Sequence, residues 1–139
     1  MITHKLKLRL VSKNTLNRIL TEHWGRRKEE KDLYYLVVKE ALQKQGTVDI
    51  VNYPIVVKYH FFTTGRQLDW TNLAGMTKLI EDTLVQAGVF KDDSPRYIRS
   101  GTLLSDKLPT KKGEIVRQYV EVTIYEPEGD EVLSIEPIG

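Results

Sequence analysis

From Tyr53 to Thr63 the chain reads YPIVVKYHFFT, and this run constrains the fold more than any other. An extended chain alternates its side chains, so Ile55, Val57, Tyr59 and Phe61 share one face and Val56, Lys58, His60 and Phe62 share the other. The first face is wholly apolar and the second is half apolar. Such a segment is expected to be a central strand of a sheet.

The remaining periodicities supply its neighbours. Lys5 to Val11 alternates, with Leu6, Leu8 and Leu10 on one face and Lys5, Lys7 and Arg9 on the other, which reads as a half-buried strand with a basic outer face. Asn14 is placed to cap a short helical turn carrying Leu16, Ile19, Leu20 and Trp24, with Gly25 expected to interrupt it. Arg26-Arg27-Lys28 leads into a longer helix, whose stripe of Tyr34, Val37, Val38, Ala41 and Leu42 ends near Gly46. A second helix, expected to begin near Thr71, carries Leu73, Met76, Ile80, Leu84 and Ala87 and ends at Gly88. Tyr97 to Leu104 and Ile115 to Tyr125 read as two further strands joined by a polar loop around Pro109 to Gly113. The expected order is β-α-β-α-β-β, a single small α/β (α+β) domain with a mixed sheet and two helices over residues 1–126. An acidic C-terminal tail, 127–139, follows.

A chain of 139 residues can bury a real core without staples. It contains no cysteine, which excludes a disulfide scaffold and thiolate metal centres. The N-terminal MITHKLKLRL has no apolar core of the kind a signal peptide carries, and no run approaches the length of a membrane span. The expectation is a soluble cytoplasmic protein with no membrane partner. Charge is unevenly spread: residues 1–120 hold all 21 Lys and Arg but 13 of the 19 Asp and Glu. A basic body suits a polyanionic partner, and the acidic tail is placed to compete for the same surface.

The chemistry concentrates between Leu68 and Pro95. Asp69 stands at a helix start, Asp92-Asp93 just past the helix end, and Lys78 between them. At about 100° per residue, Thr71, Gly75, Lys78 and Asp82 share one stripe of that helix, away from its apolar side. Lys78 and Asp82 are four apart and can pair. Taken singly, each residue has an ordinary use: Asp69 as a helix cap and Asp92-Asp93-Ser94-Pro95 as a turn. Converging carboxylates, by contrast, are what Mg²⁺ requires, since it takes hard oxygen ligands. The histidines at 4, 23 and 60 are scattered, and His60, on the Lys58 and Phe62 face of its strand, fits a surface or interface position better than a ligand position. Trp70, beside Asp69, is a candidate for stacking on unpaired bases, and Lys111-Lys112 reads as a loop tip within reach of DNA.

The run Asp69-x-x-Asn72-Leu73, Lys78, Asp82-x-Leu84, Ala87-Gly88-Val89, Asp92-Asp93-Ser94 resembles the signature of RusA-type Holliday junction resolvases, endodeoxyribonucleases carried by phages and prophages. The likeness is dense over residues 68–98 and fainter at Ser12-Lys13-Asn14. It implies a homodimeric endonuclease that hydrolyses phosphodiesters in four-way or other branched DNA, in the cytoplasm of a bacterial host, during recombination and replication. Mg²⁺ is the implied cofactor, with Mn²⁺ as a substitute and no organic cofactor. Asp69 and Asp93 are the implied metal ligands with Asp92 as a near neighbour, Lys78 is the cationic helper, and Asn72 holds the motif loop. Lys7, Arg9, Asn14, Arg18, Arg26, Arg27 and Lys28 are the expected DNA contacts. One position departs from the family: Thr71 stands where an aspartate is expected, leaving Asp82 or Asp92 to supply the missing charge. The alternative is therefore a junction-binding protein with weak or no cleavage. A phosphohydrolase of small molecules using the same carboxylates is a third, less favoured reading.

Overall fold

The computed structural model describes residues 1–10, 24–64, 69–113, 117–130 and 132–133, with the side chains of 24–29 left aside. Its elements are β1 (Ile2–Arg9), α1 (Trp24–Gln45), β2 (Ile55–Thr63), α2 (Trp70–Gln86), β3 (Ile98–Lys107) and β4 (Tyr119–Glu126). This is the expected order, in a single α+β domain with a four-stranded mixed sheet and two helices. Among the described residues, no helix is long and apolar enough to cross a membrane.

The sheet runs β1-β4-β2-β3. β4 lies antiparallel to both β1 and β2, and β2 lies parallel to β3. A parallel pair cannot be closed by a hairpin, so α2 serves as the crossover from β2 to β3. β3 and β4 follow one another in the chain but are separated in the sheet by β2. Interior β2 has the alternation that marked it as central: Ile55, Val57, Tyr59 and Phe61 are all buried, and Val56, Lys58, His60 and Phe62 are half-buried. Leu6 and Leu8 of β1 and Val120, Val122 and Ile124 of β4 extend that apolar face. Tyr34, Val37, Val38 and Ala41 of α1 close over it together with Leu73, Met76, Ile80 and Leu84 of α2. Both helices thus cover one face of the sheet.

Several boundaries move. β1 starts at Ile2, because Ile2 and Thr3 find partners in Glu126 and Tyr125. β3 runs on to Lys107, paired with Thr63. Gly25 does not interrupt the helix that follows; it lies within α1. Of the short turn expected after Asn14, all but Trp24 lies outside the described residues, as do Ile115 and Val116, expected to begin the last strand.

β1 is an edge strand, and its exposed backbone is answered by a side chain. The Gln45 carboxamide accepts from Lys7 N–H at 2.8 Å and donates to the Lys7 carbonyl at 2.7 Å. It imitates one residue of a further strand and blunts the edge.

Glu126, the last residue of the expected domain, is a buried residue at the end of β4. Its Oε1 receives His4 Nε2 at 2.8 Å, and Oε2 accepts the N–H groups of Val51 and Asn52 at 3.2 and 3.1 Å. Burial pushes this carboxyl up, but the hydrogen bonds from His4, Asn52 and Val51 together outweigh it and hold it below the ordinary range. Beyond it Leu133, in the tail, is also buried.

Candidate functional site

α2 is positioned by signals at both ends. Asp69 has extended backbone, and its Oδ1 accepts the N–H of Asn72 at 2.9 Å, a regular N-cap. At the other end Gly88 takes φ +80°, Val89 N–H donates to Leu84 O at 2.9 Å and Gly88 N–H to Val85 O at 3.0 Å. This is a Schellman turn, completed by apolar contact of the buried Val89 and Leu84. The turn reverses the chain, Phe90 plugs into the core, and Lys91 N–H is received by Tyr53 Oη at 3.1 Å. Residues 91–97 then run back alongside α2 as a series of turns.

That return brings Asp93 to Lys78. Lys78 Nζ donates to Asp93 Oδ2 and also to Asp82 Oδ1 at 3.1 Å, one turn along the helix. Lys31 of α1 holds the other oxygen of Asp82 at 3.2 Å. Asp92 faces differently: its Oδ1 accepts the N–H of Asp93 at 2.8 Å, so the turn aims Asp93 and not Asp92 at the lysine. The Lys78, Asp82 and Asp93 side chains are 58%, 28% and 27% exposed. Ion pairs this open to water contribute little to stability, and the fold does not depend on them.

The charges respond to one another. The hydrogen bond from Lys78 holds the Asp93 carboxyl below its ordinary range despite some burial. Asp93 in turn raises the Lys78 ammonium, with burial opposing and Asp82 assisting. Glu81, beside Asp82 on the helix, moves the other way: burial raises it, and the negative charge of Asp93 adds to the effect. Below Glu81, Tyr59 of β2 is buried, and its hydroxyl has no hydrogen-bond partner among the described residues. Burial raises this phenol, and the nearby charges of Glu81, Asp93 and Asp82 add to that. Tyr59, Thr77, Glu81, Ser100 and Leu103 line a cavity of about 320 Å³.

The structure therefore brings together Lys78, Asp82 and Asp93 out of the expected set. Asp69 and Thr71 stand apart. Nine and seven residues of helix put them about 13 and 10 Å up the axis from Lys78, where Asp69 serves as the cap and Thr71 is exposed. Asn72 is half-buried and gives its N–H to that cap. Among the described residues, no group of three or more His, Cys, Asp or Glu side chains is arranged to hold a metal ion. Trp70 is 63% exposed at the helix start. Of the expected DNA contacts, Lys7 and Arg9 project from β1, Arg26, Arg27 and Lys28 fall in the first turns of α1, and Asn14 and Arg18 lie outside the described residues. His4 and His60 are both engaged, by Glu126 and by Asp106 at 2.6 Å. Sequence reading missed Lys31, Glu81 and Tyr59. The spacing of Glu81 from Lys78, three residues on a helix, was the available signal; Lys31 and Tyr59 gave none.

Comparison with protein-family models and with curated protein sequences finds no match to this chain.

Proposed function

We propose that this chain is a Mg²⁺-dependent endonuclease acting on branched DNA, as a homodimer in the cytoplasm of a bacterial host. The observation that carries the reading is Lys78 held between Asp82 and Asp93 at the open flank of α2. Two carboxylates already converge there on one cation, and the donors are oxygen only, a set that suits Mg²⁺ or Mn²⁺. A bound ion would polarise a phosphodiester and make a water more acidic. Asp82 and Asp93 would hold it, with Lys78 swung from between them toward the phosphate, where an ammonium stabilises developing negative charge. Lys7 and Arg9 would make phosphate contacts that position DNA without reading its sequence. A four-way junction presents two equivalent strands to cut, which a two-fold symmetric dimer meets with one site each.

One observation favours the second reading, junction binding with little or no cleavage: Asp69 is occupied as a helix cap, and its neighbour on the helix, Thr71, is neutral. A labelled four-way junction and a matching linear duplex, incubated with Mg²⁺, Mn²⁺ or EDTA, separate the two. Metal-dependent paired nicks, lost in Asp93→Asn and sharply reduced in Asp82→Asn, are the expected result. Junction binding without nicks, with cutting gained in Thr71→Asp, establishes the second reading. If neither DNA is bound at moderate salt, both fail.

A further inference from the structure

The outer face of the sheet, opposite the helices, carries an aromatic ladder that ends at a basic cavity. Strand pairing sets Phe62 of β2 beside Tyr119 of β4, and Tyr119 beside Arg9 of β1. The His60 and Phe62 rings stack with centroids 4.1 Å apart and planes 25° apart, and Phe62 and Tyr119 stack at 4.7 Å and 24°. In such a ladder the middle faces are used up and only the ends are free to take another ring. At the Tyr119 end, Lys7 Nζ lies 4.0 Å from the ring centroid. That end opens into a cavity of about 380 Å³ at the β1 edge, with Val37 and Ala41 at its back and Lys7, Arg9, Lys44 and Arg117 around it.

The lining has two parts with different chemistry. Tyr119 with the apolar back wall suits a flat ring, and the cations suit an anion. The cavity falls in the size range of small-molecule sites. One acid belongs to it: Glu40 pairs with Lys44 at 3.0 Å and with Arg9 at 3.7 Å. An incoming anion therefore competes with one carboxylate for two of the four cations. A ligand that joins a planar ring to a phosphate satisfies both parts.

We propose that this cavity binds one nucleotide unit, with its base laid on Tyr119 and its phosphate among Arg9, Lys44 and Arg117. Lys7, now over the ring, moves aside to a phosphate or to the edge of the base. The site stands at the β1 edge of the sheet, between β1, β4 and α1, shares no residue with the Lys78, Asp82 and Asp93 cluster, and does not rest on the nuclease reading. A free nucleotide and one unit of a single strand present the same chemistry here.

The test is binding by titration calorimetry in EDTA, with AMP, ribose 5-phosphate, dTMP and dT12 as ligands. AMP is expected to bind about tenfold or more tightly than ribose 5-phosphate, because the base stacks. Tyr119→Leu removes that advantage and leaves ribose 5-phosphate unchanged, Tyr119→Phe keeps it, and Arg117→Gln weakens both ligands. Asp93→Asn binds like the parent, so loss of nicking and loss of this site are told apart. If dT12 binds more tightly than dTMP, the site serves single strands; if the two are equal, it serves free nucleotides. Equal binding of AMP and ribose 5-phosphate, an equal loss of both in Tyr119→Leu, or no binding at millimolar ligand overturns the proposal.

Discussion

Replacing Glu126 with glutamine tests whether the buried carboxylate at the end of β4 organises this fold. The side chain joins the end of β4 to two distant segments: His4 on β1 and the backbone N–H groups of Val51 and Asn52, just ahead of β2. Asn52 Nδ2 adds a long fourth contact at 3.4 Å. All these partners donate, so an acceptor-only carboxylate suits them and a carboxamide does not. Glutamine turns one end of the group into a donor facing donors. A buried hydrogen bond to a charged group contributes about 1.5–3 kcal/mol, and such terms are not additive. The expected loss for Glu126→Gln is therefore about 2 kcal/mol. With an unfolding entropy of about 2.1 cal/mol/K per residue, that lowers the melting temperature by about 7 °C for a chain of 139 residues. The pH dependence follows from the direction of the shift. The folded carboxyl titrates below its ordinary value of 4.5, so its contribution is complete above that value and is lost as pH falls through the folded one. Thermal melts of parent and variant by circular dichroism should differ fully at pH 7 and converge as pH falls through the folded value. A variant that melts within about 2 °C of the parent at pH 7, or a gap that persists unchanged in acid, refutes the reasoning.

Gln45→Leu removes both hydrogen bonds that blunt β1. It should cost about 1 kcal/mol or less in a urea titration, and its larger effect should be concentration-dependent association by light scattering, because the edge is freed. Gly88→Ala should lower stability by about 1–2 kcal/mol, read from the urea midpoint. A methyl there meets nothing within 4 Å, so the cost comes from φ +80° alone. Lys78→Gln takes away the hydrogen bond that holds Asp93 down. The Asp93 carboxyl, followed by NMR titration, should rise toward its ordinary value of 3.8, and an unchanged midpoint would show that Lys78 does not set it.

The elements were legible because their signals are local. A period of two exposed β2 and its buried face, and a stripe at helical spacing exposed α1 and α2. Asp69 as a cap and Gly88 as a terminator are likewise written within a few residues. What pairs across the sheet is not. Nothing near Ile98 or Tyr119 says that β4 must pass β3 and insert between β1 and β2, since that choice is made by packing among residues far apart in the chain. Glu126 read only as the last residue of the domain for the same reason: its partners are 122, 75 and 74 positions away. The candidate site divides along the same line. The pairing of Lys78 with Asp82 follows from their spacing, whereas Lys31 reaches Asp82 only because α1 lies beside α2, and Tyr59 comes near Glu81 only because α2 lies over β2.

The two proposed surfaces make a joint geometric demand. The basic cavity opens at β1, one edge of the sheet. Lys78 and Asp93 lie on the helical side near Tyr59 of β2, and the adjoining cavity is walled by β3, the other edge. Neighbouring strands are about 4.8 Å apart, so the sheet is about 15 Å across from β1 to β3, and the two sites lie toward its opposite edges. No single nucleotide spans them. A continuous strand within one protomer would have to pass over the helices or cross the outer face of the sheet along the aromatic ladder and round β3. The route around the sheet passes β3, where Asp106 is engaged with His60 beside the aromatic ladder. In a two-fold dimer the demand is met differently, with one protomer holding a strand in its cavity while its partner presents Lys78 and Asp93. The first arrangement predicts that strand binding depends on the face around Asp106, and the second that it depends on assembly, so the same substrate distinguishes them.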